Sequence, residues 1–170
     1  MSELTTLHDA ITRIISERMP KVVHVEQFPE LGAEVMTPAL LYGITDMAPG
    51  LDRGEGKTAV IGRFQSCILV EATRDKASLQ AAILAGQMMT VLKDQWWDVD
   101  FVTGPPEQVH AQPEAPTLDL EQFVMWSVQW VQPFELGEAA WPWPDEPPGS
   151  LMLGINDDAK EDFFSPGDLT

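Results

Sequence analysis

The stretch Thr58-Ala59-Val60-Ile61-Gly62-Arg63-Phe64-Gln65-Ser66-Cys67-Ile68-Leu69-Val70-Glu71-Ala72-Thr73 carries most of the fold reading. Successive side chains of a strand point to opposite faces, so Val60, Phe64, Ile68 and Val70 share one side and Arg63, Gln65 and Glu71 the other. The pattern predicts a long strand, half buried, with one wet face. The same alternation returns at Leu118, Leu120, Val124, Trp126, Val128 and Trp130, with Asp119, Glu121, Ser127 and Gln129 opposite. A second long strand is expected there, with Trp126 and Trp130 in the core.

Outward from these strands the periodicity changes. Leu4, Leu7, Ile11, Ile14 and Ile15 recur at helical spacing between Ser2 and Arg18; Ser2 is a natural N-cap and Pro20 ends the pattern. Val22 to Phe28 and Ala39 to Ile44 read as short strands. Asp46 to Lys57 holds Pro49, Gly50, Gly54 and Gly56 among charged residues, which predicts a long connection between two strands. Its charged members Asp52, Arg53, Glu55 and Lys57 are candidate interface residues, because long loops on a rigid scaffold often carry function. Asp75 is the expected N-cap of a helix from Lys76 to Lys93, which carries Leu79, Ile83, Met88, Met89 and Leu92. Its small residues Ala81, Ala82, Ala85 and Gly86 would let it lie close against a sheet. Trp96 to Val102 and Glu107 to Gln112 are shorter strand candidates.

After Pro133 the composition shifts. Residues 135–170 contain Pro142, Pro144, Pro147, Pro148 and Pro166 with nine acidic residues and Lys160 as the one base. This predicts two parts, a folded domain over 1–134 and a proline-rich acidic arm over 135–170 without secondary structure of its own. Trp141 and Trp143, in Trp-Pro-Trp-Pro, lie outside any periodic element and are the best anchor candidates, for docking either on the chain's own body or on a neighbouring surface. Leu153 and Ile155 are further interface candidates in the same arm.

The 170-residue chain is 44% hydrophobic, enough for one ordinary core, and no apolar run reaches the length of a membrane span. Met1 to Leu7 has neither a basic segment nor an apolar secretory core, so a cytosolic site of folding is expected. Ten Lys and Arg against 27 Asp and Glu give a formal charge of −17. That balance lacks the basic footprint needed to hold nucleic acid directly. The single cysteine, Cys67, has no internal disulfide partner and falls inside a strand pattern.

Chemistry-bearing motifs are few. Gly56-Lys57-Thr58 resembles the end of a phosphate-binding loop, but Gly50 stands one residue too far upstream and a strand rather than a helix follows. Asp98 and Asp100, two apart in an expected strand, would face one side and could share a hard cation; a solvated strand face is the plainer reading. His8, His24 and His110 are dispersed, and no Gly-x-Ser-x-Gly elbow is present. No catalytic, cofactor-binding or metal-binding residues are assigned, and the chain is read as a non-enzyme acting through its surfaces.

The segments Leu7-His8-Asp9-Ala10-Ile11, Thr37-Pro38-Ala39-Leu40-Leu41 and Gly62-Arg63-Phe64 leading into Ile68-Leu69-Val70 together carry a likeness. So does the arm Trp141-Pro142-Trp143-Pro144 running into Leu153-Gly154-Ile155-Asn156-Asp157. In element order the chain resembles the tail terminator and related tail-completion proteins of long-tailed bacteriophages. The resemblance implies an α+β domain, with two helices packed on one face of a mixed, mostly antiparallel sheet, plus an extended C-terminal arm. It also implies a homo-oligomeric ring, most simply of six subunits, that caps the tail tube protein, stops its polymerisation and meets head-completion or connector proteins at the neck. Such a protein is assembled in the bacterial cytoplasm, resides in the virion, and needs no cofactor, membrane or sequence-specific nucleic acid. Two other classes fit the composition. An acidic DNA mimic or inhibitor would bind a basic partner, and a carboxylate–metal hydrolase would use Asp98 and Asp100.

Overall fold

The computed structural model describes residues 2–28, 35–138, 153–157 and 160–164. The first helix, α1 (Glu3–Arg18), begins where expected: Ser2 Oγ accepts a hydrogen bond from the Thr5 N–H at 3.3 Å, satisfying one of the orphan donors of the first turn. It buries Leu7, Ala10, Ile11, Ile14 and Ile15. Strands β1 (His24–Gln27), β2 (Ala39–Pro49) and β3 (Thr58–Glu71) follow, then α2 (Ala77–Leu92), β4 (Glu107–Glu114), a short 3-10 turn at Leu118–Leu120, and β5 (Phe123–Leu136). They form one five-stranded sheet in the order β1-β2-β3-β5-β4, in which β1 runs parallel to β2 and every other pairing is antiparallel. Both helices pack on one face of this sheet, so the chain has the mixed α+β architecture expected.

The central pair decides the core. β3 and β5 stay in register over their full lengths, from Thr58 opposite Leu136 to Glu71 opposite Phe123. Because the alternation in both strands matches, Val60, Phe64, Ile68 and Val70 line up with Phe134, Trp130 and Val128 under the helices. Phe64 and Trp130 are directly opposed and stack with ring centroids 5.1 Å apart. Gly62 is required on this face, because a Cβ there would stand 2.6 Å from the Phe134 ring and 2.9 Å from the Phe64 ring. On the other face a smaller cluster of Ala39, Leu41 and Leu69 is flanked by Leu120, Phe123 and Met125.

Several elements differ from expectation. Trp96 to Val102 is a series of turns with a single bridge from Val102 to Phe134, not a strand. Asp94, Trp97 and Asp98 adopt positive φ, and the reason is polar packing. The buried Gln132 accepts from Trp97 Nε1 at 2.7 Å and donates to the carbonyls of Gln95 and Gly104 at 2.8 and 3.0 Å. Those bonds wrap the segment around one β5 side chain and sink Trp97 into the core. Leu118 and Leu120 precede β5 instead of belonging to it, and Leu118 is exposed. Ser127, placed on the wet face, is buried, with its hydroxyl 2.6 Å from Glu114 Oε1. Asp75 does not cap α2; Lys76 holds the cap position with φ 52°, and the Gln80 amide donates to the Asp75 carbonyl at 2.9 Å.

The boundary drawn at 134/135 falls inside β5, which continues to Leu136. Compact units instead span Met1–Ala139 and Ala140–Thr170. The second was expected to lack secondary structure, yet it contains an antiparallel hairpin of β6 (Leu153–Asp157) and β7 (Lys160–Phe164).

Candidate functional site

The connection between β2 and β3 is shorter than its sequence suggests, because β2 continues through Pro49 and leaves residues 50–57 as the loop. The Gly50 N–H donates to the Ala59 carbonyl at 2.9 Å, closing the hairpin. Asp52 Oδ1 accepts from the Gly54 N–H at 2.7 Å, and Gly54 and Gly56 take positive φ, the conformation glycine adopts without steric cost. The four candidate residues on this loop have different roles. Arg53 and Lys57 reach back to Glu135, with nitrogen–oxygen distances of 4.0 and 3.8 Å. The Glu135 side chain is only 9% exposed, and a carboxylate so placed needs compensating charge. The two cations are therefore engaged within the domain, while Asp52 and Glu55 remain on the exposed outer side of the loop.

Trp141 and Trp143 lie outside the described residues. Leu153 and Ile155 are on β6, opposite Phe164 and Asp162 in the hairpin of the second unit.

A stronger surface feature lies on α2. Helix α2 contains no charged residue from Ala77 to Leu92, although 22% of the chain is charged. Ala77, Ala81, Leu84, Ala85, Met88, Val91 and Leu92 face inward. Leu79, Ile83 and Met89 face out, with 55%, 48% and 39% of their surfaces exposed. Gly86 lies on this outer side with open space beyond it. Ser78 and Thr90 are exposed with them, and Gln80 and Gln87 are half-buried, so the face is uncharged rather than wholly apolar, and its exposed Leu79, Ile83 and Met89 suit it to a contact.

Beside the helix lies a groove of about 420 Å³ lined by Lys21, Pro38, Arg74, Gln80, Ile83 and Leu84. One Arg74 guanidinium nitrogen donates to the Thr37 carbonyl at 3.2 Å, fixing that side chain over the start of β2. The groove therefore combines an apolar wall with two cations, in a chain that has ten cations and 27 acids. The sequence signal that could have revealed it is the sixteen-residue uncharged run between Lys76 and Lys93, too broad for a helix with one buried stripe.

The remaining chemistry is sparse. Asp98 sits in a turn and pairs with Arg13 at 3.2 Å, so the strand geometry that would have aimed Asp98 and Asp100 at a shared cation is not formed. Among the described residues no three His, Cys, Asp or Glu side chains gather as metal ligands. Burial pushes the Cys67 thiol up to about 11, which keeps it protonated at neutral pH. Burial lowers the His8 imidazole below its ordinary range, and its Nδ1 has no hydrogen-bond partner among the described residues. Among the described residues no helix is long and apolar enough to cross a membrane. No protein-family model matches this chain, and no curated protein matches it.

Proposed function

We propose that this chain is a non-catalytic assembly subunit that caps a phage tail tube as a ring, most simply a hexamer, and presents the neck surface to head-completion or connector proteins. The observation that carries the assembly part of this reading is the exposed, charge-free face of α2 beside a groove with two cations, on a protein of net charge −17. A surface that removes apolar area from water on association, and carries little of the chain's excess negative charge, suits repeated contact between acidic subunits. The identity of the capped structure rests on the resemblance of the segments around Leu7, Pro38, Gly62 and Trp141 to tail terminators.

The test is tube elongation. Purified tail tube protein is polymerised with and without this chain, and growth is followed by light scattering. Sub-stoichiometric amounts are expected to halt elongation, since only tube ends need to be occupied. Elongation that proceeds unchanged at equimolar protein would remove the capping role.

A further inference from the structure

We propose that copies of this chain associate head to tail, with the β2–β3 hairpin end of one copy seated in the α2 groove of the next. This rests on the ring-forming reading and names the two surfaces that would form the ring contact. The two patches lie at opposite ends of the long strands. Ala39 at the start of β2 pairs with Leu69 near the end of β3, whereas Pro49 at the end of β2 pairs with Val60 near the start of β3. Pro38 and Arg74 of the groove therefore stand at one end, and the 50–57 loop stands at the other. The 14 residues of β3 separate them by roughly 45 Å at about 3.3 Å per residue.

The patches are complementary in both polarity and charge. The groove end presents Leu79 and Ile83 with Lys21, Arg74 and Lys76, against Glu71 and Asp75 in the same turns. The hairpin end presents exposed Met47 and Leu51 with Asp46, Asp52 and Glu55. Its cations Arg53 and Lys57 lie beside Glu135, and Arg63 stands opposite Asp46 in the register; with Glu3, whose carboxylate accepts from the Gly137 N–H, acids still outnumber cations at that end. Two different patches at opposite ends make a heterologous contact, which generates a closed ring when the rotation between copies closes.

Full-length protein carrying Ile83→Glu in the groove and full-length protein carrying Leu51→Lys at the hairpin end test this by mass photometry and sedimentation velocity. Both positions are exposed, and circular dichroism with thermal melting checks each fold; Arg74→Glu and Met47→Lys serve as second variants of the same patches. Wild-type protein is expected to associate with rising concentration, and less so at high salt. Each variant alone is expected to stay monomeric where the wild type associates. An equimolar mixture of the two is expected to form dimers and nothing larger, because each partner keeps one intact patch. Wild type that stays monomeric up to its solubility limit, variants that associate like wild type, or a mixture that recovers no dimer would each overturn the proposal. Tube capping is read separately, so loss of this contact and loss of the capping role are distinguishable.

Discussion

Replacing Gln132 by Leu removes the polar hub on which residues 95–104 are folded while keeping nearly the same volume. Gln132 is 1% exposed, and its amide satisfies Trp97 Nε1 and the carbonyls of Gln95 and Gly104. Leucine leaves all three without that partner. A buried polar group deprived of its hydrogen bond costs about 1–3 kcal/mol, and carbonyls with a second lone pair fall toward the lower end. The added apolar burial returns about 1–2 kcal/mol. The net loss is therefore about 1–5 kcal/mol, a substantial share of the roughly 5–15 kcal/mol that holds a typical domain. Urea unfolding followed by tryptophan fluorescence measures it, with the midpoint falling and the slope unchanged. A loss below about 0.5 kcal/mol would refute the claim that this amide, rather than apolar contact alone, sets the path of the segment.

Three further outcomes follow from buried or paired groups. Glu135→Gln is expected to change stability by no more than about 1 kcal/mol, because relief of a buried charge offsets the lost attraction, while amide exchange in residues 50–57 speeds up; unchanged exchange would show that Arg53 and Lys57 do not tether the loop. The native state keeps the Cys67 proton above the ordinary 9.0, where the unfolded chain gives it up, so this contribution to stability falls as pH rises from 9.0 to about 11; Cys67→Ala should flatten that slope, and thiol modification at neutral pH should be slow until the protein is unfolded. The native state holds His8 neutral below the ordinary 6.5, so its contribution is present above that pH and is lost as pH falls through the lowered folded value; His8→Gln should reduce the acid-side slope of the unfolding free energy.

The two long strands were legible because a period of two is preserved along nearly the whole of β3 and β5, and the register then stacks Phe64 on Trp130. The beginning of β5 was not, because Leu118 and Leu120 have the same parity as Val124 although their backbone turns. Trp97, Val99 and Phe101 also alternate, and nothing local announces that Gln132, thirty-five residues from Trp97, will bind the indole and two carbonyls. The loop that carries Asp52, Arg53, Glu55 and Lys57 is legible from its glycines and charges, but the pairing of Arg53 and Lys57 with Glu135 is a tertiary fact. The outer face of α2 was not legible for a different reason. Periodicity identifies a helix, but where apolar residues surround it, periodicity does not say which of them meet the sheet. Leu79, Ile83 and Met89 were grouped with Met88 and Leu92, and the packing of α2 on β3 and β5 separates them.

Imaging of tube ends tests the central claim most directly. Preformed tubes of the tail tube protein are mixed with this chain carrying a small affinity tag, labelled with gold and examined by electron microscopy. The account predicts label and a ring of density at one end of each tube, with tube walls unlabelled. Tubes left bare, or labelled along their length without preference for an end, would contradict it.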